Sequence, residues 1–133
     1  MTPLVDYIAT GQEYSRHLGM ELLSAEPDLV VMRLPYGEHL GTERVNGGAI
    51  ASLVDTVGTC ACWSHPRVGH GSRGATVGFS INYLKLVVRS DLIATARVRR
   101  RGGSICVTEV TVVNEAGDEV ALATVTYKLD PRG

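Results

Sequence analysis

From Ala75 to Tyr83 the chain alternates. Ala75, Val77, Phe79, Ile81 and Tyr83 interleave with Thr76, Gly78, Ser80 and Asn82. A period of two places the first set on one face of an extended chain and predicts a half-buried β-strand. Three further strand-like runs follow, "DLIATARVRRR", "SICVTEVTVVN" and "EVALATVTYKL". Gly102-Gly103 joins the first two with residues suited to a tight hairpin, and "NEAGD", Asn114 to Asp118, serves the next. Earlier, Leu29 to Leu34 reads "LVVMRL", rich in β-branched residues and ended by Pro35, which predicts another strand. Between Val45 and Trp63 the period becomes helical. Ile50, Leu53, Val54, Val57 and Ala61 make one apolar face, Asn46 suits the N-cap, and Pro66 lies past the end. A central helix over about 46–63 is therefore expected. A shorter helix is expected over about 3–18, with Pro3 in its first turn and Leu4, Ile8 and Tyr14 as its apolar stripe. The order is helix, strand, long helix, then four antiparallel strands. It predicts an α+β fold with one antiparallel sheet wrapped around one long central helix.

Composition narrows the function. A length of 133 residues suits one ordinary domain, and 44% hydrophobic with 20% charged residues is a globular balance without a membrane span. The formal net charge of -1 gives no basic excess for nucleic acid or an anionic membrane surface. The first residues lack the basic start and apolar core of a signal peptide. Cys60, Cys62 and Cys106 are an odd number without framework spacing, so reduced thiols in a cytoplasmic protein are expected.

One residue breaks the apolar helix. Asp55 is the single carboxylate between Arg44 and Arg67, and an unpaired buried carboxylate is costly. On a helix its face is shared with Gly48, Ala51, Ser52, Gly58, Thr59 and Cys62, all small. That bare face suits a closely packed second helix, a ligand, or both. Upstream, Gly47 and Gly48 open the helix, where free N–H groups and the positive end of the macrodipole can hold a developing oxyanion. Gly47 and Asp55 lie about 12 Å apart along one helix. Both can serve one carbonyl only if they come from two antiparallel copies. The same residues also admit plain structural roles: Gly-Gly as a tight turn, Asp55 as a cap or an arginine's partner, and Asn46 as a simple N-cap.

The motif "NGGAIASLVDTVGT" resembles that of the hotdog-fold acyl-CoA thioesterases, in particular the phenylacetate-degradation (PaaI-type) branch. The resemblance runs from about Leu29 to Leu129 and includes "INYLK", "RRRGGSICVTEV" and "VALATVTYKL". It implies a long helix wrapped by an antiparallel sheet, a homodimer and often a dimer of dimers, and hydrolysis of an acyl-CoA, aryl or medium-chain, without a cofactor or metal. Asp55 then matches the family's general base or nucleophile. Gly47 matches the glycine whose N–H polarises the thioester carbonyl from the opposite subunit. Thr59 and Thr76 match positions where some members carry hydroxyls near the site.

The chain departs from the family pattern in two places. Asn46 stands where the family has histidine; it can hydrogen-bond but cannot titrate near neutral pH. "EHLGTERVNGG" holds about two extra residues, so an amide often used upstream falls near Glu38 or His39. Asn46 also keeps open a non-catalytic acyl-CoA-binding or sensor protein on the same fold. A hotdog hydratase would need a histidine paired with the acid. For CoA, the resemblance implies phosphate contacts from Arg99, Arg100, Arg101 and Ser104; the alternative is a solvated charge run at a hairpin tip. "GHGSRG", Gly69 to Gly74, follows a helix and precedes a strand, the wrong order for a dinucleotide fingerprint. His65, His70, Cys60 and Cys62 lack metal-ligand spacing, and no base stands near a cysteine to make it a nucleophile.

Overall fold

A computed structural model of the chain describes residues 3–69 and 71–130. Its frame is one six-stranded sheet: β1 (Glu21–Glu26), β2 (Leu29–Leu34), β3 (Arg73–Tyr83), β4 (Leu92–Arg101), β5 (Ile105–Val113) and β6 (Glu119–Asp130). The spatial order is β1-β2-β4-β5-β6-β3, and every neighbouring pair is antiparallel. The long helix α3, Gly47–Trp63, lies across one face. Leu53, Val54, Val57, Cys60 and Ala61 are fully buried there. They pack with Val30 and Met32 of β2, Leu92 and Ala94 of β4, Val110 and Val112 of β5 and Val125 of β6 in one core. The expected helical stripe and the alternation of β4, β5 and β6 thus meet along a single seam, the physical meaning of a sheet wrapped around a helix.

Four expectations change. First, β1 is an additional strand. "ELLSAE" has little alternation, and a register shift between Leu22 and Ser24 breaks its pairing. The turn Pro27-Asp28 ties it to β2, with Asp28 at φ 66°; a Pro-Asp pair between two apolar runs was the available signal. Second, the N-terminal segment is not one helix. It divides into α1 (Pro3–Asp6), a π-helical turn (Tyr7–Gly11) and α2 (Glu13–Leu18). Its buried face is Val5, Ala9 and Ser15, with Ile8 partly covered, while Tyr14 stands 60% exposed. Third, the apolar row of β3 is largely uncovered. Val77 is 64% and Tyr83 50% exposed, and only Ile81 of the row packs on the core. β3 is an outer strand of the sheet, and a bulge between Thr76 and Gly78 shifts its register, so that Thr76, opposite Tyr127, joins the face of Phe79, Ile81 and Tyr83 while Ala75, opposite Lys128, lies on the other. Fourth, two members of the expected bare helical face turn inward. Gly58 packs on Val125, where an added Cβ would meet the Val125 side chain at 3.0 Å, and Cys62 is buried against β5 and β6 residues.

Arg101 locks the far end of α3. Its guanidinium donates to the carbonyl oxygens of Cys62 (3.1 Å) and Ala61 (3.3 Å) and to Asp28 Oδ1 (2.8 Å). A cation at a helix C-terminus satisfies orphan carbonyls and complements the macrodipole. The Asp28 side chain is 42% exposed, so water screens the ion pair, and the carbonyl caps carry most of the effect. Replacing Arg101 with Met should lower the unfolding free energy by about 2 kcal/mol. Urea denaturation checks this; an unchanged midpoint would show that the clasp contributes nothing. Among the described residues, no helix is long and apolar enough to cross a membrane.

Candidate active site

Asp55 projects from the middle of α3 into a cleft of about 580 Å³. The Oγ1 of Thr76 on β3 donates to Asp55 Oδ1 at 2.7 Å. Asp55 and Thr76 come together because the outer strand runs beside the open flank of the helix. No protein donor among the described residues reaches Oδ2 of Asp55. One oxygen is thus held and the other is left without a protein donor on a residue that lines the cleft, which suits a carboxylate that must approach a water or a carbonyl carbon. Thr59, one turn further along, lines the same cleft. Aromatic and aliphatic walls come from Tyr7 and Ile8 of the N-terminal segment, Trp63, and Tyr127 of β6, and polar ones from Gln12, Ser15, Ser52 and Thr56. Trp63 Nε1 donates to the Tyr127 hydroxyl at 2.9 Å, which fixes these two rings against each other.

The helix start has its own geometry. Asn46 is the N-cap, and its Oδ1 accepts the Gly48 N–H at 2.7 Å. The N–H groups of Ala49 and Ile50 reach the Asn46 carbonyl at 2.9 and 3.3 Å. Among the described residues the Gly47 N–H alone in this first turn finds no acceptor. The Gly47 carbonyl takes the Tyr83 hydroxyl at 2.7 Å, and an added Cβ would stand 3.3 Å from the Tyr83 ring. The side chain of Asn46 is therefore committed to the cap, which explains how the helix opens without a histidine there. A second cavity, about 470 Å³, lies against this end; Glu38, His39, Asn46 and Gly48 line it. The extra residues of the preceding loop fold as a 3-10 turn over Glu38–Leu40. His39 bonds the Leu18 carbonyl through Nε2 at 3.0 Å.

Arg99, Arg100 and Ser104 are exposed at the β4–β5 hairpin and stand outside the Asp55 cleft. Arg101 is engaged under α3 as described, which separates it from the two exposed arginines. All three cysteines are free and buried, and none lines the cleft. Burial pushes the Cys60 thiol up to about 12, with the charge of Asp6 adding to the shift, so it holds its proton. Among the described residues no three His, Cys, Asp or Glu side chains gather as a metal site. His70 of the "GHGSRG" stretch lies outside the described residues. Tyr14 and Tyr83, which the apolar patterns mark only as stripe and strand residues, both reach the central helix. Tyr14 meets Ser52 across 38 positions of chain and Tyr83 meets Gly47 across 36, so no local pattern signals either pair.

Comparison with known proteins agrees with this fold. The family described as "Thioesterase superfamily" matches residues 43–121. A protein of Halobacterium salinarum, provisionally described as an esterase, is 36% identical over 74% of this chain and 68% of its own. Human acyl-coenzyme A thioesterase 13 is 29% identical over 85% of this chain and 81% of its own. The E. coli PaaI protein of the phenylacetic acid degradation operon is 25% identical, with a TM-score of 0.78 over 88% of this chain and 83% of that one.

Proposed function

This chain belongs to the thioesterase superfamily and is a thioester hydrolase; from that premise we propose that it cleaves an acyl-CoA, placed with the PaaI-type branch. The observation that carries this reading is the Asp55 carboxylate, steadied by Thr76 at one oxygen and lining a cleft of mixed aromatic and polar walls. The names of the human relative and of the PaaI protein support the substrate class and the branch.

The reaction runs at two subunits' shared seam. β3 has an unpaired outer edge and an exposed apolar row, features that a second copy covers by continuing the sheet. A two-fold axis at that edge sets two α3 helices side by side and antiparallel. The Gly47 N–H of one protomer then faces the Asp55 of its partner, and a dimer of dimers is a further expectation. The N–H polarises the thioester carbonyl and holds the oxyanion. Asp55 either takes a proton from an attacking water or attacks the carbonyl carbon itself; in both routes the C–S bond breaks and CoA leaves as a thiolate, and in the second a water then hydrolyses the acyl–Asp55 anhydride, releasing the acid and restoring the carboxylate. A thiol of ordinary pKa, about 8.5, leaves without a strong acid, so a titrating group at position 46 is dispensable. On this reading Arg99 and Arg100, exposed with Ser104 at the β4–β5 turn, meet the CoA phosphates where the bound CoA arm leaves the cleft. The buried free thiols fit a reducing, cytoplasmic setting.

Release of free thiol from a panel of aryl-, short- and medium-chain acyl-CoA esters tests the proposal. Turnover that rises with acyl bulk up to the medium range is expected. Binding of CoA esters without thiol release would reject acyl-CoA hydrolysis in favour of a binding role.

A further inference from the structure

Tyr14, 60% exposed as a residue, sits at the start of α2 and is nonetheless held. Its hydroxyl lies 2.7 Å from Ser52 Oγ, and Ser52 Oγ donates to the Gly48 carbonyl at 2.9 Å. With the Ser52 proton committed to Gly48, the proton between the two hydroxyls belongs to Tyr14. The ring lines both the Asp55 cleft and the cavity at the helix start, of about 580 and 470 Å³. It is the one side chain common to the two.

We propose that Tyr14, tethered through Ser52, is the partition that limits the size of the acyl group admitted beside Asp55. The inference rests on the acyl-CoA reading above. Ser52 precedes Asp55 by three residues, so the tether stands about 5 Å along the helix from the carboxylate. An acyl group with its carbonyl at Asp55 meets Tyr14 within one helical turn. Aromatic walls at Tyr7, Trp63 and Tyr127 favour a flat or compact apolar group in the space that remains. A long chain must displace the ring to enter the second cavity, at the cost of the Tyr14–Ser52 hydrogen bond. Fixing a rotamer-poor aromatic ring by one hydrogen bond is an economical way to set such a limit. The tether also depends on the broken N-terminal segment: the break at Gln12, with ψ 146°, redirects the chain before Tyr14.

The test is a binding ladder of non-hydrolysable acyl-CoA thioethers, from two to sixteen acyl carbons or about that range, followed by calorimetry. For the parent protein, affinity stops improving at medium length. In Tyr14→Ala the two cavities join, and the longest analogue gains at least about tenfold relative to the shortest. Tyr14→Phe keeps the ring and loses the tether, so it shifts the ladder the same way by a smaller factor. Parallel ladders for parent and Tyr14→Ala would overturn the inference, whatever the turnover. A shifted ladder with no thiol release by the parent would instead leave the partition standing and reject the hydrolytic reading.

Discussion

Asp55→Asn should lower kcat/KM for thioester hydrolysis by about a thousandfold while the protein stays folded and keeps the parental oligomeric state. The substitution is nearly isosteric. Its amide oxygen can still accept from Thr76 Oγ1, so the 2.7 Å contact and the line of α3 persist. What disappears is the charge and the basic lone pair, and with them either route at the carbonyl. The melting temperature should stay at or above that of the parent, because a partly buried carboxylate has been removed from a helix face. Steady-state kinetics with free-thiol detection, alongside a thermal melt, measure both quantities. A variant within threefold or so of parental activity would remove Asp55 from the chemistry.

The second large effect concerns Gly47. Gly47→Pro deletes the one N–H of the first turn that lacks an acceptor, and keeps the carbonyl that Tyr83 holds. Proline is well tolerated at the first helical position, and Asn46, at φ -62° and ψ 136°, already has the extended backbone that a following proline requires. The Tyr83 ring, 3.3 Å from the added carbon position, must yield by a few tenths of an ångström. Loss of one oxyanion donor should cut kcat by a factor of about 10² to 10³. The decisive measurement mixes the two inactive chains. If Gly47 and Asp55 act across the seam, a dimer of one Gly47→Pro and one Asp55→Asn chain has one intact site. Random pairing of equal amounts then restores about a quarter of parental activity. No recovery in verified mixed dimers would place both groups in a single protomer's site.

The long helix was legible before any coordinates because two signals agreed. Its apolar stripe has one period, and Asn46 marks its start; the stripe is buried and Asn46 caps the helix. The later strands were legible for the same reason, each carrying a period of two between glycine-rich or polar turns. β1 was not, because a strand at the sheet's rim with one weakly covered face shows little alternation. The face that Thr76 takes on β3 was also hidden. Simple alternation sets Thr76 on the other face from Phe79, but the bulge between Thr76 and Gly78 takes Val77 out of the pairing and puts Thr76, opposite buried Tyr127, on the face of Phe79, Ile81 and Tyr83. A bulge is fixed by pairing with a distant strand, here β6, and no local period records it.

The same division runs through the site. Periodicity and spacing alone were enough to isolate Asp55 on a helix of small residues and to set two glycines at that helix's start, because both are properties of one continuous segment. The fold had to decide what each of them touches. It joined Thr76 to Asp55 across 21 positions, spent Asn46 on the cap, drew Arg101 from the charge run to the helix end, and laid Tyr14 over Ser52. Those pairings are made between segments distant in the chain. Their cause is the common packing of sheet and helix, in which hydrogen-bond partners are chosen by proximity after burial.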